Sequence, residues 1–91
     1  MAHVIAPSDR LDLSAVATLQ SQFVAGAGKD IVLDMSAVSH VGALCLQVMI
    51  AAGRAARENG TRLRIENTPD RVLDHLTLMG TTPEQIMEGM Q

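Results

Sequence analysis

The sequence predicts an α/β domain, of the mixed α+β kind, with one small mixed β-sheet of about four strands and about four helices. Apolar runs typical of strands alternate with segments of helical period along the 91 residues. Glycine and proline separate most of these segments. A chain of this length supports one hydrophobic core, so we expect a single domain over residues 1–91.

The N-terminal segment is expected to give a short strand and a helix. The strand covers His3–Ala6 and stops at Pro7, because proline cannot donate to a ladder. The helix covers residues 13–23, with Asp12 or Ser14 as its cap. Its apolar residues Val16, Leu19 and Phe23 share one face.

The central segment is expected to give a buried strand, a loop and a long helix. Ile31–Leu33 has no polar alternation, as in a strand covered on both faces. The loop after it is anchored to the core by Met35, Val38 and Val41. The helix runs over residues 42–59 and ends at Gly60. Its apolar stripe, at three- and four-residue spacing, consists of Leu44, Val48, Ala51, Ala52 and Ala55.

The C-terminal segment is expected to give one more strand and two helices. Residues 62–66 alternate strictly between charged and aliphatic, which predicts a strand with one face open to water. Thr68-Pro69-Asp70 caps and starts a helix that Gly80 closes. A capping box at Thr82-Pro83-Glu84-Gln85 starts a short terminal helix.

Composition argues against nucleic acid as a partner. Phe23 is the one aromatic residue, so bases have almost nothing to stack on. The net charge of −3, with only seven Lys and Arg, provides no basic field for phosphates. Neither single-stranded nucleic acid nor duplex DNA is an expected ligand.

The cysteine count and hydropathy predict a cytoplasmic protein. Cys45 is the sole cysteine, which fits a reducing compartment. Residues 1–4 lack the features of a secretory signal. Charged residues interrupt the longest apolar run from Arg54 onward, so we expect no direct membrane insertion.

No pattern of residues predicts an enzyme, a metal site or a cofactor. The three histidines, His3, His40 and His75, have no metal-ligand spacing, and no carboxylate pair suits acid–base chemistry. The dipole at the start of the long helix could lower the pKa of Cys45, but no base is placed beside it, and a buried structural thiol is the better interpretation. Asp34, at the end of a strand, is expected to brace the following loop through backbone N–H groups.

The segment from Ile31 to Val41, followed by the apolar helix, resembles the STAS domain of the anti-sigma factor antagonists. The most specific stretches are residues 33–38 and 52–60. In that family the helix opens with a run like Asp-Ser-Ser-Gly-Leu, whose first serine is the regulatory phosphorylation site. Here those positions are held by Gly42, Ala43, Leu44 and Cys45, and only Leu46 matches.

The resemblance implies a non-catalytic signalling module that docks on a protein, such as a serine kinase that restrains a sigma factor, or on a chemosensory (chemotaxis) protein. Phosphate at the helix start abolishes docking in the family, and Ala43 has no oxygen to accept it. Ser36 and Ser39 are alternative phosphoacceptors in the nearby loop. The expected partner-binding residues are Ser36, Ser39, His40, Val41, Gly42, Ala43, Leu44 and Gln47.

Two other interpretations remain open. Free-standing STAS proteins also serve as accessory subunits of lipid-transport ABC assemblies. The amides at the helix start could alternatively hold a small anion, although the rim is aliphatic. An edge strand near Val4-Ile5 could pair two copies into a homodimer.

Overall fold

Residues 2–89, which the computed structural model describes, form five strands, four α-helices and one 3-10 turn. The strands are β1 (His3–Ile5), β2 (Ser8–Leu11), β3 (Ile31–Asp34), β4 (Ala37–Val41) and β5 (Leu63–Glu66). The helices are α1 (Val16–Ala25), α2 (Ala43–Asn59), α3 (Asp70–Leu78) and α4 (Pro83–Met87), and the 3-10 turn covers Leu13–Ala15. The predicted α/β class is confirmed.

The strands form two small sheets rather than one. The first has the order β1-β3-β5, with Ile31 of β3 between His3 and Leu63. The second pairs β2 with β4. All of these pairings are parallel, which differs from the predicted mixed sheet, because helical crossovers return the chain to the same end of the sheet.

Strand β4 lies where the sequence predicts only an anchored loop. Its anchors are confirmed, since Met35, Val38 and Val41 are all buried. Val38 and Val41 are three residues apart, so the period-two pattern of a strand is missing. The ladder itself is irregular, with a register shift between Asp9 and Arg10 of β2.

Most of the predicted helix boundaries are confirmed. The carboxylate of Asp12 accepts a hydrogen bond from the Ser14 N–H at 3.1 Å. Gly60 ends α2 with a φ of 74°, and the Thr82 hydroxyl accepts from the Gln85 N–H at 3.2 Å. Helix α3 differs, because Pro69 rather than Thr68 is its N-cap and offers no side-chain bond.

The predicted core-facing stripe of α2 is wrong. The residues that α2 buries are Cys45, Leu46, Met49, Ile50, Gly53 and Ala56. Leu44, Ala51 and Ala55 are instead exposed, and Val48 and Ala52 are half-buried. From residue 43 to residue 53 this helix has aliphatic side chains on every side, so its period does not specify which face is buried.

Within residues 2–89, none of the helices combines the length and the apolar character that crossing a bilayer requires.

Candidate functional site

The predicted partner-binding residues lie at and around the junction between β4 and α2. The Gly42 N–H donates to the Leu11 carbonyl at 2.7 Å, which ties the junction to β2. Gly42 is extended, with a ψ of 165°, and its carbonyl accepts the first helical bond from Leu46 at 3.0 Å. Gly42 has no side chain to cap the helix. The N-cap of α2 is therefore held by backbone bonds and not by a capping side chain.

Three side chains of the first turns of α2 face outward. Ala43 and Gln47 are exposed, and Leu44 keeps 54 % of its surface accessible. The methyl group of Ala43 is thus accessible from solution. A group added at that position would be placed on the surface rather than in the core.

Val41 does not belong to this surface, contrary to the sequence-based prediction. Its side chain is completely buried. Its carbonyl accepts a hydrogen bond from Nε2 of His75 at 3.1 Å. The ring of His75 also lies 4.8 Å from the ring of the half-buried His40. Helix α3 therefore supports the end of β4 through His75, which sequence spacing alone did not indicate.

Ser36 and Ser39 are both exposed, at the start and in the middle of the β4 region. The Ser39 hydroxyl donates to the Asp9 carboxylate at 3.5 Å. Asp34 accepts from the Ser36 N–H at 3.0 Å, which confirms its predicted brace. That bond is the largest cause holding the pKa of Asp34 below its ordinary value, and Asn67 adds a further hydrogen bond.

Cys45 has the properties of a structural residue. Its side chain is 1 % exposed, and its thiol donates to the Asp12 carbonyl at 3.4 Å. Burial, and secondarily the negative charge of Asp12, raises the pKa of the Cys45 thiol. The helix dipole alone would lower the pKa of Cys45, but the pKa is raised instead. The thiolate is therefore disfavoured.

The surface at the start of α2 has little with which to attract an anion or a metal ion. Neither Lys nor Arg occurs between Lys29 and Arg54, although β2 places the exposed Arg10 in register with His40. Within residues 2–89, no three His, Cys, Asp or Glu side chains gather as a metal site would require. The exposed groups of the predicted partner-binding residues are hydroxyls, a methyl, a leucine and an amide, and the carboxylates of Asp9 and Asp34 border them. Such a surface suits contact with another protein.

An apolar groove between α1 and α2 was not predicted from the sequence. It encloses about 440 Å³ and continues from Leu44 and Gln47 along α2. A signal was available, because residues 13–28 and 41–53 contain no charged side chain. The sequence indicated an exposed surface only at the start of α2, and it did not indicate that this surface continues along α2 toward α1.

Comparison with known families gives one match. A family model described as "Mlab, STAS domain" matches residues 2–86. The chain has no match among curated proteins.

Proposed function

Because the chain belongs to the STAS family, we propose that it is a non-catalytic docking module whose binding to a partner protein is not switched off by phosphorylation at position 43. The docking face consists of Ser36, Ser39, His40, Gly42, Ala43, Leu44 and Gln47. Val41 supports this face from below and does not contact the partner.

The observation that carries the proposal is the exposure of Ala43 beside Leu44 and Gln47. Phosphate at this position would add roughly −1.5 to −2 charges to a docking face whose own residues include no Asp, Glu, Lys or Arg. Burying that charge in an interface without a cation carries a large desolvation cost. Since an alanine methyl cannot be phosphorylated, the docking face stays in its binding form.

The partner we favour is a signalling protein, either a serine kinase that restrains a sigma factor or a component of a chemosensory circuit. The support is the resemblance in the segment from Ile31 to Val41 and the absence of Asp, Glu, Lys and Arg among the residues of the docking face. Ser36 and Ser39 remain exposed hydroxyls through which a kinase could act on the same surface.

The test compares binding of two variants at position 43. The partner is isolated with the tagged full chain, identified, purified and titrated in a calorimeter. We expect Ala43→Asp to weaken binding at least about tenfold, equivalent to about 1.4 kcal/mol. Its melting temperature should not fall, because an acid in the first turn interacts favourably with the helix dipole.

Ala43→Ser provides the complementary measurement. The serine variant should bind like the original chain until a serine kinase modifies it, and should then lose binding. A charge-matched control, Ser21→Asp, lies on the exposed surface of α1 outside the docking face and should bind normally. Unchanged binding by Ala43→Asp would refute the proposed docking face.

A second candidate is an accessory subunit of a lipid-transport ABC assembly. It is favoured by the same exposed Ala43, since a permanent subunit has no need of a covalent off-signal. Detergent extraction followed by capture of the tagged chain separates the two candidates. Recovery with a membrane ATPase supports the accessory subunit, whereas recovery with a kinase or chemosensory protein supports the signalling module.

A further inference from the structure

The groove between α1 and α2 lies beyond the proposed docking face and shares only Leu44 and Gln47 with it. Among the residues that line the groove, Lys29 is the one with an ionisable side chain. The outer surface of a solvated helix normally carries charges. An uncharged, aliphatic surface across two neighbouring helices is instead typical of a contact with another molecule.

Helix α2 presents a regular seam along this groove. Leu44, Val48, Ala51 and Ala55 follow one another at spacings of four, three and four residues. This is the spacing of a coiled-coil seam. The seam has large side chains in its first half and small ones in its second half. Val48 is half-buried and the other three residues are exposed.

We propose that this seam pairs with the same seam of a second copy of the chain, with the two α2 helices antiparallel about a two-fold axis. The axis crosses α2 at the level of the peptide bond between Met49 and Ile50. Leu44 then lies opposite Ala55 of the second copy. Val48 then lies opposite Ala51 of the second copy. Every large side chain meets a small one, so the surface is complementary to itself, as a two-fold interface requires.

Charge permits a second copy at this surface and opposes one at the acidic surfaces of the chain. Each copy carries a net charge of −3, so two copies repel each other wherever acidic groups meet. Helix α3 carries Asp70 and Asp74. Glu84 lies in helix α4, and Glu88 directly follows that helix. The seam of α2 brings no like charges together.

An amphipathic anion such as a fatty acid fits the groove less well. Lys29 could attract its carboxylate, but Gly26 and Asn59 border the same groove. These residues mark the C-terminal ends of α1 and α2. The negative ends of two helix dipoles would oppose an anion there.

The size of the groove indicates how tightly two copies should bind. Eighteen residues line the groove, whereas a standard protein interface uses about 20–30 residues a side. We therefore expect a reversible dimer with a dissociation constant on the order of micromolar. Because Leu44 and Gln47 also belong to the docking face, self-association and partner docking should compete.

Sedimentation equilibrium of the full chain from about 5 to about 500 µM tests the dimer. We expect a monomer–dimer equilibrium that Ala51→Asp weakens at least tenfold, because a carboxylate would enter the centre of the seam. Ser21→Asp makes the same change of charge outside the groove and should leave the equilibrium unchanged. Circular dichroism of both variants checks that they fold.

Cross-linking tests the antiparallel arrangement itself. Positions 44 and 55 lie about 16 Å apart along one helix, too far for a disulfide within one chain. The double variant Leu44→Cys, Ala55→Cys should therefore form covalent dimers under mild oxidation, whereas Leu44→Cys alone should not. Failure of the double variant to cross-link would overturn this pairing.

Two further results would overturn the proposal. A chain that remains monomeric at the highest concentration would leave the groove to a different protein or an apolar ligand. A dimer that survives Ala51→Asp unchanged would place the contact elsewhere, for example at the β1 edge. Neither result bears on Ala43, so the docking proposal stands or falls separately.

Discussion

The thiol of Cys45 shows how burial and a neighbouring charge determine the pKa of one side chain. Position 45 lies in the first turn of a helix, where a dipole alone would favour the thiolate. Burial outweighs that effect and raises the pKa of the Cys45 thiol above the ordinary value of 9.0. The low exposure and the raised pKa of the thiol both indicate a structural role for Cys45.

We expect Cys45 to resist modification in the folded protein. A thiol reagent at pH 8 should react slowly with the native chain and rapidly after denaturation, because the side chain is 1 % exposed. The reaction is followed by absorbance of the released chromophore. Fast, stoichiometric labelling of the native chain would contradict the structural role assigned here.

The same raised pKa has a consequence for stability at high pH. The unfolded chain loses the thiol proton from about pH 9.0, whereas the folded chain holds it to higher pH. The folded state then binds more protons, so the free energy of unfolding falls as pH rises above 9.0. The stability advantage over Cys45→Ala, measured by urea unfolding, should therefore shrink above pH 9.0 and stay constant below it.

At the scale of elements, the sequence predicts boundaries better than it predicts orientation. Gly60 and the Thr82 cap mark real helix ends because their backbone requirements are local. The buried face of α2 depends on what packs against it, and a helix that is aliphatic on all sides gives no local sign of that. Strand β4 was missed for a similar reason, since its pairing with β2 is non-local.

In the candidate site, too, local features were easier to predict than features that depend on packing. The exposure of Ala43 and Gln47 fits the predicted docking face, whereas Leu44 had been assigned both to that face and to the apolar stripe of α2. Val41 was wrongly assigned to the docking surface. In a short strand, the sequence alone does not tell whether an apolar residue points toward the core or toward solvent. The support from His75 depends on the packing of α3 and has no counterpart in sequence spacing.

Gly53 offers a test of how closely α2 and α4 pack. A Cβ at this position would collide with the Ile86 carbonyl and lie 3.1 Å from the Gly89 nitrogen. Alanine favours a helix by about 1 kcal/mol over glycine. Because both obstacles are backbone atoms, we expect Gly53→Ala nevertheless to lower the free energy of unfolding, by about 1–3 kcal/mol of overpacking.

Urea unfolding of Gly53→Ala measures this effect. Ala17→Gly provides a control on the exposed surface of α1, outside the proposed dimer seam, where only the propensity term of about 1 kcal/mol should be lost. A stabilised Gly53→Ala variant would show that α4 does not pack on α2 in the way described.

At the scale of the whole molecule, the charges are distributed unevenly. The second half of α2, strand β5 and helix α3 carry both signs of charge, and helix α4 carries Glu84. Helix α1 and the first part of α2 carry none. One side of the molecule is therefore suited to solvent, and the other combines the groove with the start of the docking face.

This distribution predicts how salt should act on the dimer. Raising NaCl from about 0.1 to about 1 M shortens the Debye length from about 10 to about 3 Å. Ion pairs would weaken, but the seam from Leu44 to Ala55 contains none, while the repulsion between two copies of charge −3 is screened. The dissociation constant, measured by sedimentation equilibrium, should therefore stay constant or fall. A tenfold rise would mean that charged residues outside the α1/α2 groove hold the copies together.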